Sequence, residues 1–465
     1  MVKDRVNPSR RGFLKLSMAV SLTAIGAGLQ ACAPAVPAAP AAGETTGAAT
    51  APAGKATEIA WFEWGDINDK AIADATIADF QEENPEIRVR LEQPPSSYYD
   101  KMQAAIAAGT APDVLNFQTW LFQSFAAKGV LQPLDEYRNR DSYNTPFPEK
   151  WQGVYTPQTQ FRGKLYGIPW NMNAMVMFYA KEPFNRLGLE YPTDDWTYDE
   201  FVELTQKLTQ EVGGVQYYGY QTNTSYERLA CWMRLNGDKE WDQEIEPREA
   251  RWDQPYIMDM INFQLYSVLN EIKVSPTPAM MQGGTNQLQS GNVAMKMEGP
   301  WFFPQMVGEK AKREGGTPFD VVQLPLAPKG TRAHMVFGHV LTINGASKEK
   351  DAAWEFLKFA GGEGGQKYVA QGGRQPVTPE FQEKYWVPDV EEKYGIKNTQ
   401  AFIKSFETGI LHLAGEIDDR YITNEVFGPA RDKMVAGEAT AYEVIPEMNK
   451  AIQEILDKYW AEKGS

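Results

Sequence analysis

From residue 58 to residue 129 the chain alternates strand and helix three times over, and few architectures accept that order. Glu58-Ile59-Ala60-Trp61-Phe62-Glu63-Trp64 reads as a strand that ends at Gly65-Asp66. Ile72, Ala73, Thr76, Ile77 and Phe80 then recur at helical spacing until Asn84-Pro85 stops them. Ile87, Val89 and Leu91 alternate as a strand, 100–108 reads as a helix stopped by Gly109, 112–117 as a short buried strand, and 122–128 as a helix closed by Gly129. Strands separated by helices predict an α/β fold whose mostly parallel sheet is covered on both faces.

The rhythm resumes further on. Trp196-Thr197-Tyr198-Asp199-Glu200-Phe201 is a helix start, with Thr197 as cap, Glu200 closing the capping box and Trp196 placed to staple onto Phe201. Residues 292–297 and 340–343 read as strands. Ser347 is expected to cap a helix carrying Ala353, Phe356, Leu357 and Ala360, with a short helix over 363–370 after it. Residues 447–460 form a last amphipathic helix, and no solenoid repeat is present.

Ahead of this body stand two segments that cannot belong to a core. Residues 1–31 have a basic start, the run Ser9-Arg10-Arg11-Gly12-Phe13-Leu14-Lys15 and a weakly apolar stretch too short for a membrane span. Arg10-Arg11 matches a twin-arginine export signal, and Leu29-Gln30-Ala31-Cys32 a lipobox whose Cys32 becomes the lipidated first residue. Of residues 33–57, 22 of 25 are Ala, Pro, Gly or Thr. Such a segment is a flexible tether of about 25–30 Å as a coil. The expected location is outside the cytoplasmic membrane, on the cell surface or in the periplasm, held through the lipid on Cys32.

Charge and composition exclude several functions. Of the formal −15, residues 1–31 carry +4 and the rest −19, which argues against nucleic acid and against adsorption to an anionic bilayer. Two cysteines make no disulfide framework, and Cys231, among apolar neighbours, reads as a buried inert thiol. Three histidines give no metal cluster, so no cofactor is expected. There is no Gly-x-Ser-x-Gly elbow and no P-loop; the run 361–365 reads as a helix stop.

The 13 tryptophans are in excess, and several stand beside a polar residue where a strand should end. Ligands of parallel sheets bind beyond the carboxyl ends of the strands. Those positions hold Trp64 and Asp66; Asn116, Gln118 and Trp120; Trp170, Asn171 and Asn173; and Glu298 and Trp301, with Arg374 in a loop that reaches the same end. Aromatic faces cover the C–H faces of sugar rings, while amides and carboxylates take the hydroxyls. Glu63, Asp66 and Glu298 offer the rival reading of a surface glycosidase's carboxylate pair.

These residues resemble a known family. Asp79-Phe80 through Asn84-Pro85, Gly109-Thr110-Ala111-Pro112-Asp113-Val114, Gly163-Lys164-Leu165-Tyr166-Gly167-Ile168-Pro169, Gly291-Asn292-Val293-Ala294-Met295 with Gly299-Pro300-Trp301, and Ser347-Lys348 with Ala353-Trp354-Glu355-Phe356-Leu357 occur in the order found in family 1 extracellular solute-binding proteins, the carbohydrate receptors of ABC importers. The resemblance covers nearly all of the chain after Glu58. It implies a binding protein, not an enzyme, with two α/β lobes joined by crossing hinge segments and the ligand between them. The first lobe would be 58–170 plus 327–371, the second 171–326 plus 376–465. It implies a mono- or oligosaccharide ligand, permease subunits as partners, and a monomer. Trp301 matches the family's sugar-stacking residue, Trp64 and Asp66 its contacts after the first strand, and Asn173 its first-hinge contact. Maltose-binding members carry Glu at that hinge position, so the maltodextrin assignment is not carried over. Tyr220, Trp232, His339 and Arg374 are further pocket candidates. Arg374 leaves an acidic ligand open, a uronate or sugar phosphate, and a polyol is the other non-sugar alternative.

Overall fold

In a computed structural model the described residues are 56–144, 148–306, 318–412, 414–417 and 420–464. Arg10, Arg11, Cys32 and all but the end of the tether lie outside them. The body begins one residue early, because Thr57 already pairs with Ile87.

The opening alternation folds as its periodicity predicts. Strand β1 (Thr57–Phe62), helix α1 (Ile67–Glu83), strand β2 (Ile87–Glu92), helix α2 (Tyr98–Ala107), strand β3 (Val114–Gln118) and helix α3 (Phe122–Ala127) follow in order. β1 lies parallel to both β2 and β3. The helix α1 starts five residues before Ile72. Asp66 accepts from the amides of Asn68 and Asp69, and the Asp69 carboxylate accepts from the amide of Asp66, a reciprocal capping box.

The expectation of a mostly parallel sheet holds only for these three strands. Strand β4 (Gly167–Ala174) and the long strand β8 (His334–Ile343) complete the sheet, and β8 runs antiparallel to both β3 and β4. β8 arrives from a strand of another sheet (Phe319–Val322), so no local crossover forces it parallel to β3 or β4. β8 also pairs in parallel with the short β9 (Gly409–Ile410). A second sheet is antiparallel throughout: β5 (Val176–Ala180) lies between β6 (Met295–Glu298) and β7 (Phe319–Val322).

Two large apolar cores accompany the two sheets. Trp61, Trp170, Leu341, Trp354 and Phe356 fill one, with Trp61 and Trp170 edge to face at 5.5 Å. Met177, Phe201, Trp232, Trp241, Trp252 and Ile452 fill the other. β8 passes from one to the other: Met335 packs in the second core and Leu341 in the first.

Among the helices, Tyr198–Leu208 (α4) has the predicted box between Thr197 and Glu200, and Trp196 meets Phe201 edge to face at 5.7 Å. Helix α5 (Tyr226–Met233) was not read from the sequence. Helix α6 (Lys350–Gly361) starts later than Ser347 suggested: the Ser347 hydroxyl accepts from the Glu349 amide and donates to Asp113, tying a turn to β3 instead of capping the helix. Helix α7 (Glu363–Gln371) follows. The final helix α8 runs Ala441–Lys463, because a Thr440–Glu443 box starts it ahead of Pro446.

Candidate ligand-binding cleft

The paired strands β4 and β8 form the floor of a cavity of about 300 Å³. In their register Asn171 lies opposite His339 and Asn173 opposite Phe337. Side chains alternate along a strand, so these four share one face, and all four line the cavity. Between them Gly338 faces Met172, where a Cβ would overlap the Asn171 carbonyl. The floor is therefore set by close approach of the two backbones.

Three indoles frame the floor. Trp64 meets His339 at 4.8 Å, Trp120 stands edge-on to Phe337 at 5.1 Å, and Trp301 leans on Phe337 at 5.3 Å. Trp120 is also stacked on His412 at 4.4 Å. Trp301 follows Gly299-Pro300 in a single helical turn, and a Cβ at Gly299 would overlap its ring carbons. Its indole N–H donates to Glu298 at 3.1 Å, and the guanidinium of Arg228 lies 5.9 Å from its ring.

The polar groups are held in pairs. Arg374 donates from Nε and Nη2 to the two carboxylate oxygens of Asp69, each at 3.1 Å. Burial pushes the Asp69 carboxyl up, and the guanidinium opposes that rise. Arg228 is paired with Glu298 at 2.5 Å, and Lys296 reaches the other oxygen of Glu298 at 3.0 Å. Burial alone would raise Glu298; the two cations outweigh it and hold the carboxyl below its usual range. Burial, helped by Arg374, presses His339 down to about 3, so its ring is neutral near pH 7. Asn173 donates to Asn171 at 2.8 Å and accepts from the Gln375 amide at 3.0 Å.

Of the residues expected at a site, the cavity brings together Trp64, Asp66, Gln118, Trp120, Asn171, Asn173, Trp301, His339 and Arg374. Others fall elsewhere. Trp170 precedes Asn171 inside a continuous strand, so it points to the opposite face and sits in the first core. Tyr220 and Trp232 are 1 % exposed in the second core, Trp232 stacked on Phe201 at 4.9 Å. Glu298 stands behind the lining, as does Glu63, which is buried against Asn116 at 2.7 Å and whose carboxyl burial pushes well up. The proposed glycosidase pair thus has only Asp66 in the cavity wall.

The sequence reading missed Asp69, Glu227, Arg228, Gln305, Phe337 and Gly338, which also line the cavity. A signal existed for two of them: Asp66-x-x-Asp69 is a capping box, and Phe337 lies two residues from His339.

Residues 64–367, most of the chain and most of this site, match the family model for bacterial extracellular solute-binding proteins. The chain belongs to that family. Among its relatives, a putative binding protein of Brucella abortus is 26 % identical over 289 residues, 60 % of this chain and 66 % of the relative, so the chain spans just under two-thirds of that relative's length. An arabinooligosaccharide-binding protein of Bacillus subtilis is 23 % identical over 86 % of this chain and 90 % of its own. An ABC substrate-binding protein of Listeria monocytogenes, solved in complex with cycloalternan, superposes with a TM-score of 0.74 at 22 % identity, covering 86 % of this chain and 99 % of that one. The fold is the two-lobed α/β fold of such proteins.

Proposed function

We propose that this protein is the substrate-binding component of an ABC importer, which takes up a mono- or oligosaccharide in the cleft and delivers it to membrane permease subunits. The carrying observation is the floor of Asn171, Asn173 and His339 framed by the indoles of Trp64, Trp120 and Trp301. Indole faces cover the C–H faces of a pyranose, and fixed amides meet its hydroxyls. The arabinooligosaccharide of one relative and the cycloalternan of one structural neighbour support the same ligand class.

In this reading the lobes are 58–170 with 327–371 and 171–326 with 376–465. Trp64 packs against apolar residues of the first half and Trp301 against the second core, so a ligand touching both favours the closed arrangement. Export through Arg10-Arg11 and lipidation of Cys32 keep the receptor, as a monomer, at the outer face of the membrane that holds its permease.

A thermal-shift panel of neutral sugars, uronates, polyols and phosphates tests the ligand class, because a ligand that binds only the folded state raises the melting temperature. Stabilisation by a sugar supports the proposal; stabilisation by a polyol or inorganic phosphate alone overturns it. Sugar hydrolysed by the purified protein would favour an enzyme instead.

A further inference from the structure

A site that recognises an anion needs a cation whose charge is not already matched. This cleft has two guanidiniums, and each has its carboxylate. Arg374 spends Nε and Nη2 on Asp69, in a contact where both residues are more than nine-tenths buried. Arg228 is spent on Glu298, which Lys296 also contacts. His339 adds no charge near pH 7. Along the lining, the carboxylates of Asp66, Asp69 and Glu227 stand with Arg228 and Arg374, so the cations are not in excess over the carboxylates.

Among the described residues, Nη1 of Arg374 and Nε of Arg228 are buried nitrogens without a partner. Both are sealed from the cavity, so neither offers an entering anion a free N–H, while a neutral hydroxyl can be met by the side-chain amides of Gln118 and Asn171 in the wall. A ligand carboxylate or phosphate would have to compete with Asp69 or Glu298 for the same guanidinium.

We infer that the cleft selects neutral sugars against sugar acids and sugar phosphates, and that Asp69 sets this preference by holding Arg374. The inference rests on the sugar-receptor reading above and names the ligand class within it. Asp69 acts through Arg374 and is a positioning residue. Replacing it by Asn preserves its shape and its acceptor for the Asp66 amide, while leaving the charge of Arg374 unmatched.

The test measures Kd by calorimetry on the purified protein for glucose, galactose, xylose and arabinose and for oligosaccharides of each, and for glucuronate, galacturonate, their oligosaccharides and glucose 6-phosphate. A neutral sugar at least tenfold tighter than its matched acid is expected for the wild type. D69N should shift that ratio at least tenfold toward the acid, and E298Q, which unpairs Arg228, should shift it the same way. If D69N does not fold, the wild-type ratio and E298Q decide. An acid that binds the wild type as tightly as its neutral counterpart overturns the inference and leaves the receptor reading standing. A folded D69N with an unchanged ratio overturns the role of Asp69. Absence of binding by every sugar, neutral or acidic, overturns the sugar reading and this inference with it.

Discussion

The position of the Trp301 indole makes a prediction that separates contact from packing. Gly299 stands in extended backbone (φ −102°, ψ 179°), so alanine meets no conformational penalty there. Its methyl would instead overlap the six-membered ring of Trp301, which Phe337 and Glu298 hold on other sides. Gly299→Ala therefore pushes the indole off its seat without deleting it. If that ring stacks on the ligand, the stack and its buried area are worth about 1–3 kcal/mol. That corresponds to roughly 5- to 150-fold in Kd. Trp301→Ala should lose the same amount, and both variants should keep the far-ultraviolet circular dichroism of the parent. Isothermal titration with the best sugar from the thermal-shift panel is the assay. An unchanged Kd in Trp301→Ala would falsify the stacking role. Weakening in Trp301→Ala with none in Gly299→Ala would refute the argument that Gly299 positions the ring.

Three further outcomes are expected. Glu240 is fully buried and bonded by Arg234 through Nε at 2.8 Å and Nη2 at 2.5 Å, so Glu240→Gln should cost about 3 kcal/mol in urea unfolding, because among the described residues the buried guanidinium keeps only the carboxylate of Glu244, at 3.7 Å, to face it. A much smaller loss would mean that water reaches the pair. His334 accepts from the Leu324 amide at 3.0 Å, and burial presses it down to about 3. The unfolded chain then binds the proton first, so this contribution is complete above pH 6.5 and shrinks by roughly 1 kcal/mol per pH unit as pH falls from there toward 3. A His334→Gln variant should show a flatter decline of urea midpoint with acid, and an identical slope would sink the assignment. Finally, Arg10-Arg11→Lys-Lys should abolish export and Cys32→Ala should release the protein from membrane fractions; normal export or retention would refute the respective reading.

How far the residues revealed the site depended on which period they had to obey. Trp64, Asp66 and Trp301 were legible because each follows a strand that ends where its apolar run ends, and the next residues point past the sheet. Trp170 was not, because the strand continues through it to Ala174 and the alternation sends it into the core. Asn171 and Asn173 read as lying past the end of a strand closed at Pro169, yet they belong to that strand's face. His339 is a candidate through the family resemblance, but Phe337 escapes because the apolar run reads as a strand only from Val340, whereas the strand begins at His334. Trp232 and Tyr220 show the limit of composition: the apolar residues around them, from Phe201 to Met233, pack as one core. The antiparallel joins of β8 were invisible because they link residues more than 160 positions apart.

The alternation along Gly167–Ala174 has a consequence for how such a receptor changes its diet. Positions 170 and 172 are buried apolar positions, whereas 171 and 173, and 337 and 339 across the ladder, line the cavity. Neighbouring codons therefore answer to separate selections, one for holding the molecule together and one for taste. A randomised library confined to 171 and 339 should yield folded proteins with altered ligand preference, whereas 173, which holds the Gln375 amide, and 337, which props Trp120 and Trp301, should tolerate fewer residues.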